Sequence, residues 1–193
     1  MEATSLVKQE LIIISGPIAV GKSYIIKQLV QDHAFSKLGS GAYLVEQARM
    51  LGIEPSRLNL VKLGDQFHEQ TDFAWVVHQV AVPAMTKAPE LSRWVFDSVR
   101  KRKQVTHFRD ALPDRVFHVH FTAPEHLLKS RYESRNRDSD TITKYAQAID
   151  TDNEREARTL CGLADLVVDT SQADEDEATA QTIEGFLKWS KLS

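Results

Sequence analysis

Cysteine is nearly absent from this 193-residue chain, Cys161 being its only one. A single thiol excludes a disulfide framework and any zinc site built on cysteine pairs, and it suits a reducing compartment. No apolar run approaches the roughly 20 residues that a membrane-crossing helix requires. Met1-Glu2-Ala3-Thr4-Ser5 lacks the basic start and apolar stretch of a signal peptide. Neither a Gly/Ser/Pro-rich linker nor an internal repeat divides the chain. Charge is balanced, with 24 basic against 27 acidic residues and a net charge of −3, so nothing global calls for nucleic acid. What is present is apolar material, 42% of the residues, enough for a sizeable core. The expectation is one cytoplasmic domain over 1–193, with no membrane partner.

Apolar periodicity divides the chain into alternating elements. Glu10 to Ser15 (E-L-I-I-I-S) is a short β-branched run suited to a strand buried on both faces. Ile25, Ile26, Leu29 and Val30 then recur at helical spacing. A short strand is expected from Ala34 to Leu38. Helical pattern follows from Ala42 to about Ala88, with breaks near Gly52-Ile53-Glu54-Pro55 and Thr71-Asp72, where Thr71 can cap the next segment. Trp94-Val95-Phe96-Asp97, Val116 to Phe121 and Leu163 to Asp169 read as further strands. Thr122 to Glu125 and Thr151 to Glu154 both have capping-box spacing. Ile183, Phe186 and Leu187 mark the buried face of a last helix. Strands alternating with helices argue for an α/β fold, a central parallel sheet flanked by helices in three layers.

Gly16-Pro17-Ile18-Ala19-Val20-Gly21-Lys22-Ser23 fits G-x-x-x-x-G-K-[ST] at every fixed position. Glycines there let backbone N–H groups turn inward around phosphate oxygens. The helix that follows points its partially positive N-terminus at the same anion. Lys22 can reach the β- and γ-phosphates of ATP, and the Ser23 hydroxyl can coordinate Mg²⁺. The motif also lies between an expected strand and an expected helix, the context it needs. A second metal-side oxygen is expected from Asp97, which the run Trp94-Val95-Phe96 delivers to the carboxyl edge of the sheet. Asp169 ends Leu166-Val167-Val168 in the same way and is the other candidate.

With these segments in place the chain resembles the nucleoside monophosphate kinase-like P-loop kinases, the adenylate kinase and dephospho-CoA kinase relatives. Asp97-Ser98-Val99-Arg100 is similar to their D-G-x-R, with Ser98 in place of Gly. Arg131-Tyr132-Glu133-Ser134-Arg135 is similar to the R-x-x-x-R of their lid, and Ala164 to Ser171 to the strand before the adenine loop. The resemblance implies a P-loop fold with a small helical lid, about 126–140, and an acceptor-binding segment, about 39–88. It implies that Arg100 holds the acceptor's phosphate, Arg131 packs near the adenine and Arg135 neutralises charge on the transferring phosphoryl. Ser40 and Arg49 fall in the acceptor segment, where the usual Thr-Gly-Asp pattern is absent. Lys22, Asp97 and Arg135 form the implied catalytic set.

Other residues carry plainer readings. His118 and His120 share one strand face and are expected as packed or hydrogen-bonded histidines rather than metal ligands. Trp75, Phe73 and Trp94 are expected in the core, and three of the four charges in Arg100-Lys101-Arg102-Lys103 in solvent. The function expected is ATP- and Mg²⁺-dependent phosphoryl transfer to a small molecule, a nucleotide or nucleoside monophosphate in the first reading. The alternatives are a kinase for a cofactor or sugar hydroxyl and a non-catalytic ATP-binding regulatory module. A homodimer is left open.

Overall fold

A computed structural model describes residues 8–97, 99–134 and 144–192 of the chain. The first half holds β1 (Glu10–Ser15), α1 (Lys22–Asp32), β2 (Ser36–Leu38), α2 (Ser40–Met50) and α3 (Arg57–Thr71). A π-helical segment (Val76–Ala81) runs on into α4 (Val82–Lys87), followed by β3 (Arg93–Phe96) and α5 (Arg102–Ala111). Then come β4 (Val116–Thr122), α6 (Glu125–Glu133), α7 (Tyr145–Ile149) and α8 (Asp152–Arg158). A 3₁₀ turn (Thr159–Leu163) leads to β5 (Leu166–Asp169) and α9 (Glu175–Ser190).

The strands form one five-stranded sheet in the order β2-β3-β1-β4-β5, and every pair in it is parallel. β1 lies at its centre and all its residues are buried. Successive side chains of a strand point to opposite faces. Leu11 and Ile13 therefore pack with Trp75, Val77, Phe108 and Leu160 on one side. Ile12 and Ile14 pack with Ile25, Leu29, Phe121 and Phe186 on the other. Two covered faces are the reason that β1 reads as an unbroken apolar run. The fold is α/β, a parallel sheet flanked by helices.

Several element boundaries differ from expectation for local reasons. Ala34 has φ +57, in the left-handed region, and the Phe35 N–H turns back to Leu29 O at 3.1 Å, so β2 begins only at Ser36. Thr122 does not cap α6. It stays in β4, pairs with Asp169 and accepts the Thr170 N–H at 2.9 Å, and Pro124 takes the N-cap position. The expected strand from Leu163 starts only at Leu166, because Leu163 closes the 3₁₀ turn. Leu187 is 39% exposed, whereas Phe186 is buried between α9 and the sheet. The breaks near Gly52 and Asp72 are present; Asp72 and Phe73 have φ +50 and +68, which no helix accommodates. Thr71 Oγ1 accepts the Trp75 N–H at 3.1 Å, and Thr151 caps α8 by accepting the Glu154 N–H at 3.3 Å. The π segment precedes Pro83, which has no N–H to return to Gln79 in a regular α-helical turn.

Candidate functional site

The loop from Gly16 to Gly21 joins the buried end of β1 to α1. Gly16 has φ +136, and a Cβ there would lie 2.4 Å from the Phe121 carbonyl oxygen, so only glycine lets the loop leave the sheet alongside β4. Gly21, at φ +103, begins α1. Among the described residues no side chain caps that helix, and its first turn holds no acidic residue, which suits its first amides to an anion. Lys22 Nζ curls back over the loop and donates to the carbonyls of Gly16 and Pro17, both at 2.7 Å. Ser23 is exposed on the first turn of α1. Pro17, Ile18, Ala19 and Val20 form the bend itself, with Ala19 at φ +66 and 4% exposed.

Asp97 follows β3, the neighbour of β1, and its N–H donates to Leu38 O at 3.0 Å. Its Oδ2 lies 2.8 Å from Lys37 Nζ on β2. Beyond it, the Val99 N–H donates to Ile14 O at 2.8 Å and keeps the chain beside β1. Asp169 is on edge strand β5, two strands from β1, and its Oδ1 accepts the Ser171 N–H at 2.8 Å. Of the two strand-end carboxylates, Asp97 is thus the one on the strand next to the phosphate loop. Ser98, between Asp97 and Val99, lies outside the described residues.

Alongside Asp97 opens a cavity of about 1180 Å³, framed by α2, α3 and the π segment. Ser40, Asp97 and the exposed Arg100 line it. Arg49 does not: the cavity lies along the N-terminal half of α2, and Arg49 is exposed in that helix's last turn. Tyr43, His68 and Trp75 line its wall and form an aromatic cluster with Phe67 packed against them, ring centroids lying 5.5–6.0 Å apart. Trp75 Nε1 donates to His68 Nδ1 at 3.0 Å, and burial lowers the pKa of His68. Trp75 is 2% exposed and Trp94 5%, so both are core residues, although Trp75 also shows an edge to the cavity.

On the β5 side, the Arg131 guanidinium donates from Nη1 to Thr170 Oγ1 at 2.9 Å and from Nη2 to Thr170 O at 2.7 Å. It therefore holds α6 against the loop after β5. Arg135, and with it part of the lid expected over 126–140, lies outside the described residues. Below the phosphate loop, Ser15, His118 and His120 form a buried chain. His118 Nδ1 faces the Leu163 carbonyl at 3.3 Å, which can only accept, so that nitrogen carries the proton. Nε2 then accepts from the Ser15 hydroxyl at 2.7 Å, and the Ser15 oxygen accepts from His120 Nδ1 at 2.8 Å. Burial pushes both imidazole pKa values down to about 4; the His118 and Lys22 charges add to the effect at His120. Among the described residues, no group of three or more His, Cys, Asp and Glu is arranged to hold a metal ion.

No family model matches the chain. Two curated proteins of Halobacterium salinarum, a UPF0200 protein in each of two strains, are 27% identical over 101 residues. That stretch covers 52% of this chain and 53% of each relative, so the chain spans about half the length of the curated relatives it matches. Solved structures match over nearly the whole chain. A sugar kinase from Janibacter has a TM-score of 0.57 at 14% identity, covering 92% of this chain and 94% of its own. A gluconokinase from Sinorhizobium meliloti gives 0.55 at 15%, covering 96% and 95%, and a shikimate kinase from Aquifex aeolicus 0.53 at 13%, covering 91% and 95%. The fold is that of the P-loop kinases.

Within this P-loop kinase fold, two residues by the site escaped the sequence reading. Lys101 is the charge of its basic run that is not in solvent: it is 8% exposed, 3.0 Å from Glu156 and 5.7 Å from the Phe73 ring, and it lines the cavity. Gln104, three residues on, was the available signal, since its Oε1 accepts the Arg100 and Lys101 N–H groups and completes a cap for α5. Glu154 was read only as part of a helix start, yet its Oε1 accepts the Ile18 N–H at 2.6 Å. No spacing rule connects positions 136 residues apart.

Proposed function

We propose that this protein is an ATP- and Mg²⁺-dependent kinase whose acceptor is a small molecule bound in the cavity beside Asp97, in the first instance a nucleoside monophosphate. The observation that carries this reading is the juxtaposition of an anion-receptive loop with a cavity that has cations on its wall. Gly16 lies where a Cβ would collide with Phe121, and the uncapped start of α1 follows. Arg100 and Lys101 line the adjoining cavity, and its aromatic wall suits a planar base. The hydroxyl of Ser23 and the carboxylate of Asp97 are hard oxygen donors of the kind Mg²⁺ takes, completed by water and phosphate. Bound Mg²⁺ would neutralise charge on the phosphates.

The roles of the chain's own groups follow. The loop amides and Lys22 would orient the β- and γ-phosphates, with Lys22 leaving the Gly16 and Pro17 carbonyls for phosphate oxygens. Arg131, held at Thr170, would border the adenine. Arg100 would receive the acceptor's anion, with Ser40 beside it and Arg135 the expected cation for the transferring group. Phosphoryl transfer asks little covalent chemistry of the protein beyond this alignment. The test is a panel of nucleoside monophosphates, nucleosides, sugars and dephospho-CoA scored by ADP release. A hydroxyl acceptor is the second reading, favoured by Asp97: a carboxylate at the cavity edge can take a hydroxyl proton, which a phosphate acceptor does not require. Three structural neighbours also bear the names of sugar, gluconate and shikimate kinases.

A further inference from the structure

We propose that Glu154 is a positioning residue for the phosphate loop: from α8 it fixes the Ile18 peptide, and so sets the cradle into which the nucleotide's phosphates fit. The inference rests on the ATP-binding reading above. Glu154 is an acidic side chain only 7% exposed, and its Oε1 accepts the Ile18 N–H at 2.6 Å. The next residue, Ala19, has φ +66, a left-handed conformation uncommon for a residue with a Cβ. Such a conformation persists when its surroundings over-determine it. Glu154 holds the Pro17–Ile18 peptide, one step before the peptide that leads into Ala19.

A carboxylate beside an anion cradle would repel phosphate if left alone. Arg158 answers that charge, with Nε 3.5 Å from the same Glu154 oxygen. Arg158 is itself held, Nη1 donating to Glu125 Oε2 at 2.6 Å and Nη2 to the Tyr145 hydroxyl at 3.4 Å. α8 is also gripped elsewhere along its length: Glu156 lies 3.0 Å from Lys101 Nζ and accepts the Arg102 N–H at 3.0 Å. Glu154 therefore reaches the loop from a helix pinned by α5 and α6, and it cannot follow a drifting loop. This makes it a brace.

The test is calorimetric titration of the full chain with ATP, paired with its melting temperature without nucleotide. Glu154→Ala should weaken ATP binding roughly 10- to 100-fold, the loss of one hydrogen bond to a charged acceptor. The same bond is lost to the fold, so the melting temperature should fall by roughly 3–10 °C, which leaves the chain folded at the temperature of the titration. Glu154→Gln, which keeps an acceptor oxygen, should recover most of the affinity. Glu154→Asp, one carbon shorter, should not recover it, and it decides the matter if the alanine variant fails to fold. Parental affinity in the Ala or Asp variant, or a loss in Gln as large as in Ala, overturns the proposal. If Lys22→Ala abolishes ATP binding while Glu154 variants bind normally, this inference alone fails. A parent chain that binds no ATP removes the underlying reading as well.

Discussion

Lys37 Nζ lies 2.8 Å from Asp97 Oδ2, an ion pair that ties β2 to the residue following β3 at the edge of the cavity. The Lys37 side chain is 51% exposed and that of Asp97 30%, so the pair adds little to the stability of the fold. On the proposed reading, a lysine on that carboxylate would compete with a cation brought in on a nucleotide. Asp97→Asn should therefore lower turnover by about 100-fold or more, with a melting temperature within a few degrees of the parent. Lys37→Met should lower the Mg²⁺ concentration giving half-maximal rate. A Mg²⁺ titration of all three chains checks both; full activity in Asp97→Asn would move the metal-side role to another oxygen.

Lys22 makes its contacts through one ammonium and two backbone carbonyls of its own loop. Lys22→Ala removes those bonds and the cation that phosphates would meet. Each charged hydrogen bond contributes about 1.5–3 kcal/mol, so ATP affinity should fall by at least about 100-fold. Calorimetric titration with ATP measures it. Unchanged affinity would contradict the assignment of the loop.

Gly16→Ala tests the backbone of the same loop. The new Cβ would lie 2.4 Å from the Phe121 carbonyl at a φ of +136, so strand β4 or the loop must move. A loss of about 2–4 kcal/mol is expected from strain and overlap together. Urea denaturation should register it as a lower midpoint at unchanged slope.

How much of this was legible in the sequence follows from how local each feature is. β1 and the phosphate loop are written in consecutive residues, so both their extent and their context could be read directly. The place of Asp97 at the sheet edge could be read because an apolar strand delivers it there, a pattern within four residues. Lys37 as its partner was not, since adjacency of β2 and β3 depends on a crossover through α2, α3 and α4. The same holds for Glu154, whose contact with Ile18 needs the whole chain to fold. Leu187 misled in the opposite direction: its spacing fits the buried stripe, but α9 is rotated so that Phe186 and Trp189 meet Phe117. Arg49 was placed by its order in the chain, and order along α2 does not say where the cavity stops.

The Ser15, His118 and His120 chain makes stability depend on pH in a fixed direction. Both imidazoles titrate near 4 in the folded protein, against the ordinary 6.5 of a free side chain. The folded state therefore favours their neutral forms. Their contribution is complete above about pH 6.5 and is lost as the pH falls from there toward 4. At 0% and 2% exposure for His118 and His120, each represents on the order of 3 kcal/mol, less where the two rings titrate as a pair. Urea midpoints at pH 7.5, 6.0 and 5.0 should fall steadily. A His118→Gln, His120→Gln double variant should show a flatter profile over the same range. A parent midpoint independent of pH across it would show that the rings do not carry this effect.

Arg100 decides between a kinase and a protein that merely holds ATP. It is exposed at the cavity wall, and the Gln104 side chain fixes its backbone N–H at 2.9 Å, so the stem is set while the guanidinium can reach an incoming anion. A guanidinium binding a phosphate through two parallel N–H bonds acts mainly on the acceptor's affinity. ATP alone should be hydrolysed slowly, and the correct acceptor should raise ADP production by orders of magnitude. Arg100→Ala should then raise the acceptor KM roughly 10- to 100-fold with little change in the KM for ATP. Arg131→Ala should do the reverse, because losing its two bonds to Thr170 loosens the nucleotide side alone. Steady-state kinetics with each substrate varied at saturating levels of the other separates the two outcomes. If no acceptor stimulates turnover, and Arg100→Ala leaves every measured constant unchanged, the cavity is not an acceptor site. The protein is then an ATP-binding module of another kind.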